Sequence, residues 1–307
     1  MINESGVTML FIDQFINGIS SIEFRRNEPM HKHTTFKVGG NADVVLFPKT
    51  IEETITAIKA CRDFSVPYVI IGNGSNLLVA DSGWRGTVII TKKMQGITRD
   101  GSTVIAEGGA MLSKVATFAA EQYLDGMAWA HGIPGTAGGG VKMNGGAYDG
   151  CMQDIVTGVD ALNDAGEVVH FTAQECAFAY RDSVFLHNNH IILRVYMQLK
   201  PGDKATILAR MEELQAKRKN SQPLEYPSGG SYFKRPPGYY AAALIDECGL
   251  KGYRVGDAQV SEKHAGFVIN RGNATCAELL ELEAHVKAIV LREKGVALEC
   301  EVQKIGV

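Results

Sequence analysis

The sequence predicts an α+β protein of two or three domains, and three observations carry that prediction. First, 307 residues with 45% hydrophobic and 21% charged content can bury more than one core. Second, strand and helix patterns are mixed from Ala42 onward, with one βαβ unit followed by hairpins. Third, Pro and Gly in "KPGDK", Lys200 to Lys204, interrupt the pattern, leaving residues 1 to about 200 as one or two α+β domains and the rest as a smaller one.

The βαβ unit comprises the strand "ADVVLF", the helix "TIEETITAIKACRDF" and the strand "PYVIIG". Thr50 with Glu53 reads as a capping box, and Ile51, Ile55 and Ile58 fall at helical spacing. "NLLVADSG" and "GTVIIT" read as short strands, and "ITRDGSTVIAEGG" as a hairpin turning at Asp100-Gly101. "MLSKVATFAAEQYL" is an amphipathic helix with Val115, Phe118, Ala119 and Tyr123 on one side. Two further strands, "VDALNDAGEVVHF" and "HIILRVYMQL", follow the glycine-dense "GIPGTAGGGVKMNGGAYDG".

Beyond Lys204 the pattern gives a helix over "ATILARMEELQAKRKN", the loop-like "YPSGGSYFKRPPGYY" and a helix near "YYAAALIDECG". Two strands, a capped helix "TCAELLELEAHVKAIVLREKG" and a final strand "ALECEVQKI" complete the chain.

A net charge of −3 argues against a nucleic-acid binder with a broad basic face, so any phosphate is expected on a small ligand. The six cysteines form no C-x-x-C pair, so they read as reduced thiols of a cytoplasmic protein. Glu4 stands where a secretory signal would be basic, and no run of about 18 apolar residues predicts a membrane span.

Two glycine segments are candidates for ligand binding. "YVIIGNGSNLLV" fails the dinucleotide fingerprint, because Leu77 occupies the third glycine position and a strand follows. Two readings remain for Gly72, Asn73, Gly74, Ser75 and Asn76: an anion nest of backbone N–H groups, or an ordinary connection. In the second segment Pro134-Gly135 makes a turn and Thr136 caps a short helix. Gly138, Gly139 and Gly140 would weaken that helix by roughly 1 kcal/mol each unless a flat cofactor packs on them. His31 and His33 share a face of a predicted strand but lack a third ligand, so no metal is implied. Met9, Met127 and Met143 read as core.

Seven stretches in order, "TTFKVGGNADVVLFP", "VIIGNGSNLLV", "GIPGTAGGGVKMNGGAY", "FAYRDSVF", "GGSYFKRPPG", "SEKHAGFVIN" and "LECEV", resemble the UDP-N-acetylenolpyruvoylglucosamine reductase family. The match runs from about Thr34 to Val302 and looks like the family's shorter form, without its extra substrate loop. The resemblance implies two FAD-binding subdomains of the vanillyl-alcohol-oxidase-like type, residues 1–67 and 68–203. A substrate-binding α+β domain, residues 204–307, would follow, with the last strand free to pack back on the FAD region.

The implied ligands are non-covalent FAD, NADPH as hydride donor and UDP-N-acetylglucosamine enolpyruvate. Around FAD the resemblance places Gly39, Gly40 and Asn41, then Gly72 to Asn76, then Gly132, Ile133, Pro134, Gly135, Thr136, Gly138 and Gly139. Hydride attack β to a carboxylate creates an enolate, which needs a fixed cation and a proton donor. Arg181 resembles the family's arginine, Ser231 its proton donor, and Glu301 its third catalytic residue. Alternation in "ALECEVQKI" leaves Glu299, Glu301 or neither at a site; only the resemblance selects Glu301. Tyr148, Lys234 and Arg235 are the expected substrate contacts, the basic pair on the diphosphate.

Overall fold

A computed structural model of the chain describes residues 15–307, so the expectations for Glu4 and Met9 fall outside the described range. The βαβ unit forms, with one addition that sequence order hides. Strands Asn41–Leu46 and Tyr68–Ile71 flank the helix Ile51–Asp63, yet each pairs in parallel with Trp84–Ile90, which lies between them. Phe24–Pro29 completes this sheet, antiparallel to Asn41–Leu46. The central strand is a continuous buried run from Gly86 to Ile90, as a parallel strand covered on both faces requires. Thr50 caps the helix by accepting the Glu53 N–H at 3.1 Å, but the Glu53 carboxylate accepts from Lys49 N at 2.7 Å. The expected capping box is therefore half made.

The second sheet is antiparallel, in the order Val168–Thr172, Val156–Leu162, Ile191–Gln198, Thr103–Glu107, Ile97–Asp100. Residues 191–198 alternate between buried and open positions, so one face is packed and the other faces solvent. Helices Leu112–Glu121, Ala137–Lys142 and Lys204–Ser221 cover the packed face.

The last of these corrects the expectation that residue 204 opens the C-terminal unit. Its Ile207, Met211 and Leu214 are buried with Val104, Val159 and Val195 of the second sheet. Pro201 and Gly202 mark a bend, not a change of core. Tyr123 is a second correction: the helix ends at Glu121, and Tyr123 turns away at φ 59°, 61% exposed. Met127 is buried in this core and Met143 is half-buried.

The third sheet, antiparallel, orders Ser228–Ser231, Phe267–Asn270, Ala258–Val260 and Arg254–Val255. Helices Ala241–Glu247 and Cys276–Lys294 pack on it. The long helix carries both expected end signals, a full Thr275/Glu278 capping box and Gly295 in the left-handed conformation. Asp81, from the first half of the chain, also accepts from its Cys276 and Ala277 N–H groups at 2.8 and 2.9 Å. Phe36 and Val38 are buried in this same core.

The closing stretch is a strand only over Gln303–Ile305, parallel to Leu77–Val79, preceded by a single bridge between Phe233 and Cys300. His31 and His33 do not share a strand face. His31 lies in the 3-10 turn Met30–Lys32, and His33 follows it, its ring 3.0 Å from the Glu28 carboxylate.

Phe36 explains one glycine outright. A Cβ on Gly229 would lie 2.3 Å from the Phe36 ring, and neither partner can retreat from a closed core. Gly229→Ala is expected to lower stability by about 1–3 kcal/mol through overpacking, read as a lower denaturant midpoint at unchanged slope. An unchanged midpoint would show that the ring can move aside.

Candidate active site

The strand carrying Ser231 is irregular for a physical reason. Ser228 pairs with Ile269 and Ser231 with Phe267, so three steps on one strand oppose two on the other. Gly230 absorbs this bulge at φ 83°, with nothing within 4 Å of its missing Cβ. A bulge turns the following side chain to a new direction, and Ser231 emerges exposed at the strand end. The structure gives Gly229 to Phe36 and Gly230 to the bulge.

Directly after the bulge, the chain runs beside the segment carrying Glu301. Glu301 N donates to Tyr232 O at 2.9 Å and Lys234 N to Glu299 O at 2.8 Å. Ser231 and Glu301 are thus one peptide from a shared rung.

Arg181 reaches Glu301 from the turn that follows the strand Val168–Thr172. Its Nε lies 3.0 Å from Glu301 Oε1, yet the approach is too bent for a hydrogen bond. Its Nη1 and Nη2 donate to the carbonyls of Asn144 at 3.4 Å and Gly146 at 3.2 Å. Arg181 sits at φ 55°, unusual for a side chain of its size. Asn144 Nδ2 and Ser183 Oγ hold the surrounding turn, bonding Ala179 O and Lys142 O at 2.9 and 2.8 Å. Burial pushes the Glu301 carboxyl above the usual carboxylate range, and the charges of Arg181 and Lys234 offset this only in part.

Both glycine segments adjoin these residues. Asn73 Nδ2 donates to Pro134 O at 2.7 Å, a Cβ on Gly72 would meet Thr136 Oγ1 at 2.3 Å, and Asn76 Nδ2 donates to Glu301 O at 3.1 Å. The backbone N–H groups of Asn73, Gly74, Ser75 and Asn76 donate to no other described residue. This run of free donors beside a glycine-built wall fits a diphosphate cofactor.

The remaining cofactor candidates divide by cause. Thr136 caps the helix Ala137–Lys142 as expected. Gly138 and Gly140 pack inside the chain, on the Gly108 backbone and on Leu112 with Met152, while a Cβ on the exposed Gly139 would meet only Thr136 Oγ1, at 3.4 Å. Gly39 and Gly40 press on Val79 and on the Asp81 carbonyl, Gly40 N is taken by Ala80 O, and Asn41 bonds Asn27. These three serve the packing of a turn.

Lys234 pairs with Glu299 at 2.5 Å, and the exposed Arg235 guanidinium stacks 4.0 Å from the Tyr240 ring. The Arg235 N–H donates to the Tyr180 hydroxyl. Tyr148, at φ 57° and half exposed, donates to Leu214 O. The sequence reading missed Arg218, which makes no ion pair among the described residues. A Cβ on Gly132 would lie 3.3 Å from its Nη1, and burial lowers its pKa. Nothing in "QAKRKN" sets it apart from its charged neighbours, and only the packing of that helix singles it out.

Two family models match the chain. Residues 42–172 match the family model described as "FAD binding domain". Residues 222–305 match "UDP-N-acetylenolpyruvoylglucosamine reductase, C-terminal domain", which begins just after the helix Lys204–Ser221. The UDP-N-acetylenolpyruvoylglucosamine reductase of Caldanaerobacter subterraneus is 45% identical over 91% of this chain and 93% of its own length. That of Alkaliphilus oremlandii is 47% identical over 91% and 92%. The crystal structure of the Thermus caldophilus enzyme has 37% identity and a TM-score of 0.77, covering 92% of this chain and 98% of that one.

The ion pair makes a direct prediction about Glu301. Arg181→Met removes the cation that opposes burial, so the Glu301 pKa is expected to rise further. Difference infrared titration of the protonated carboxyl band, assigned with Glu301→Gln, reads the shift. An unmoved or lowered value would mean that Arg181 does not govern this carboxyl.

Proposed function

The chain belongs to the UDP-N-acetylenolpyruvoylglucosamine reductase family, and on that premise we propose that it reduces UDP-N-acetylglucosamine enolpyruvate to UDP-N-acetylmuramate with NADPH, for bacterial peptidoglycan synthesis. The observation that carries this reading is the meeting of Arg181, Glu301 and the Ser231 strand beside the free N–H groups of residues 73–76. FAD bound here would supply the two-electron chemistry that carries hydride from NADPH to the enolpyruvyl group. Residues 73–76, Gly132 to Thr136 and Gly139 would hold it, the free N–H groups on its diphosphate.

Arg181 supplies the fixed cation for the substrate carboxylate as enolate charge develops. It needs no reorganisation to do so, because two carbonyls and Glu301 already hold its guanidinium. Ser231 donates the proton to the α carbon, where position matters more than acidity. Glu301, raised in pKa by burial, keeps a proton more readily than a solvated carboxyl and acts as acid or enol stabiliser. Lys234, Arg235 and Tyr148 bind the sugar nucleotide. No helix among the described residues is long and apolar enough to cross a membrane; a cytoplasmic site of action is part of the proposal.

Separating the half-reactions tests these roles. Ser231→Ala is expected to leave flavin reduction by NADPH nearly intact and to slow reoxidation by the enolpyruvyl substrate by orders of magnitude; equal loss in both would remove Ser231 from the proton-donor role. Arg181→Lys should be a poor substitute, since Nε, Nη1 and Nη2 each face a different oxygen and one ammonium cannot serve all three.

Protonated Glu301 is the active form in this scheme. Reoxidation should therefore fall as pH rises through its elevated pKa, and Glu301→Gln should remove that limb. A limb that survives the substitution assigns the titration to another group.

A further inference from the structure

Behind the Ser231 strand lies a buried carboxylate that the chemistry above does not use. Glu283, in the helix Cys276–Lys294, has a side chain only 7% exposed. Its Oε2 accepts from the Tyr232 hydroxyl at 3.1 Å and lies 2.8 Å from Lys304 Nζ, while Oε1 is 3.5 Å from Lys287 Nζ. Tyr232 is fully buried and follows Ser231 directly. Its N–H donates to Gly266 O at 2.8 Å, and its carbonyl accepts the Glu301 N–H at 2.9 Å. Lys304 lies in the short strand Gln303–Ile305, three residues past Glu301. One oxygen of Glu283 therefore grips both the segment bearing Ser231 and the segment bearing Glu301.

We propose that Glu283, through Tyr232 and Lys304, is a positioning residue that fixes the register of Ser231 against Glu301 during reduction of the enolpyruvyl group. The inference rests on the function proposed above and deepens it. Three features support it. An ion pair to a buried carboxylate is weak evidence for stability, since an apolar replacement is often neutral; its better-attested use is to fix register. Ser231 follows a glycine bulge, so local backbone stiffness does not hold it. Tyr232 is fully buried while Ser231 beside it is exposed, so a bond at the Tyr232 hydroxyl restrains the serine from within the core, without touching substrate.

The test uses the full flavoprotein in rapid mixing. Tyr232→Phe deletes only the hydroxyl. It is expected to retain FAD and the NADPH reduction rate, and to slow reoxidation by the enolpyruvyl substrate about tenfold or more, with substrate KM within about twofold. Glu283→Gln, which can still accept from both partners, should lose less than Glu283→Ala. An unchanged reoxidation rate in Tyr232→Phe, or equal loss in both half-reactions, overturns the proposal.

If Tyr232→Phe fails to fold, Lys304→Met removes the other partner and must give the same selective slowing; a Lys304→Met enzyme with normal reoxidation is equally fatal. The wild-type protein is the separate control. If its reduced flavin is not reoxidised by the enolpyruvyl substrate, the proposed function fails, whatever the variants do.

Discussion

The arrangement of the site depends on how the loop from Gly72 to Asn76 spends its polar groups. The Gly74 and Asn76 carbonyls and the Asn73 and Asn76 side-chain amides are engaged within the protein: Gly74 O by Thr35 N, Asn76 O by Gln303 N, and the two amides by Pro134 O and Glu301 O. Gly74 holds φ 63°, a value suited to glycine, and a Cβ there would lie 2.1 Å from the His33 carbonyl. With these groups tied down and the backbone N–H groups of residues 73–76 left over, the loop offers successive donors to an anion without a single charged side chain. The same bonds join the second glycine segment, the turn near Thr35 and the Glu301 segment. Cofactor loop and acid are thereby placed by one set of contacts.

Much of the scaffold was legible because its signals are local. Thr275 with Glu278, Thr136 before its glycines, and the hairpin at Asp100-Gly101 each state their own structure through capping or turn chemistry, although the turn falls one residue later than expected, at Gly101-Ser102, with Asp100 paired to Thr103. Partnership was not legible. The run at Trp84–Ile90 announces a buried strand, but nothing in it says that it enters between two strands already joined by a helix. The helix Lys204–Ser221 follows a Pro-Gly break and still belongs to the earlier core, because Ile207, Met211 and Leu214 find their apolar partners there. Periodicity shows that a face is buried, not against what.

Glycine density misled for a related reason. Lack of a side chain answers several different demands, and composition cannot tell them apart. Gly229 yields to an aromatic ring, Gly230 to a bulge, Gly138 to the carbonyl of Gly108, and Gly39 and Gly40 to the strand end near Val79. The site's charged pair was equally invisible to spacing, since Arg181 and Glu301 are far apart in sequence and nothing in "AYRDSVF" points to "LECEV". Only the order of motifs linked them before the structure did.

The bent contact between Arg181 and Glu301 has its own logic. A linear, bidentate pair would lower the carboxyl pKa strongly and saturate the guanidinium. Here Nε touches Glu301 off-line while the two Nη atoms are spent on the carbonyls of Asn144 and Gly146. At Glu301 burial outweighs everything Arg181 contributes, and the pKa stays raised. The left-handed backbone at Arg181 is strain that the surrounding bonds must hold. Fixing the cation in advance means that charge developing on a substrate carboxylate meets an oriented partner, with no further ordering to be done in the transition state.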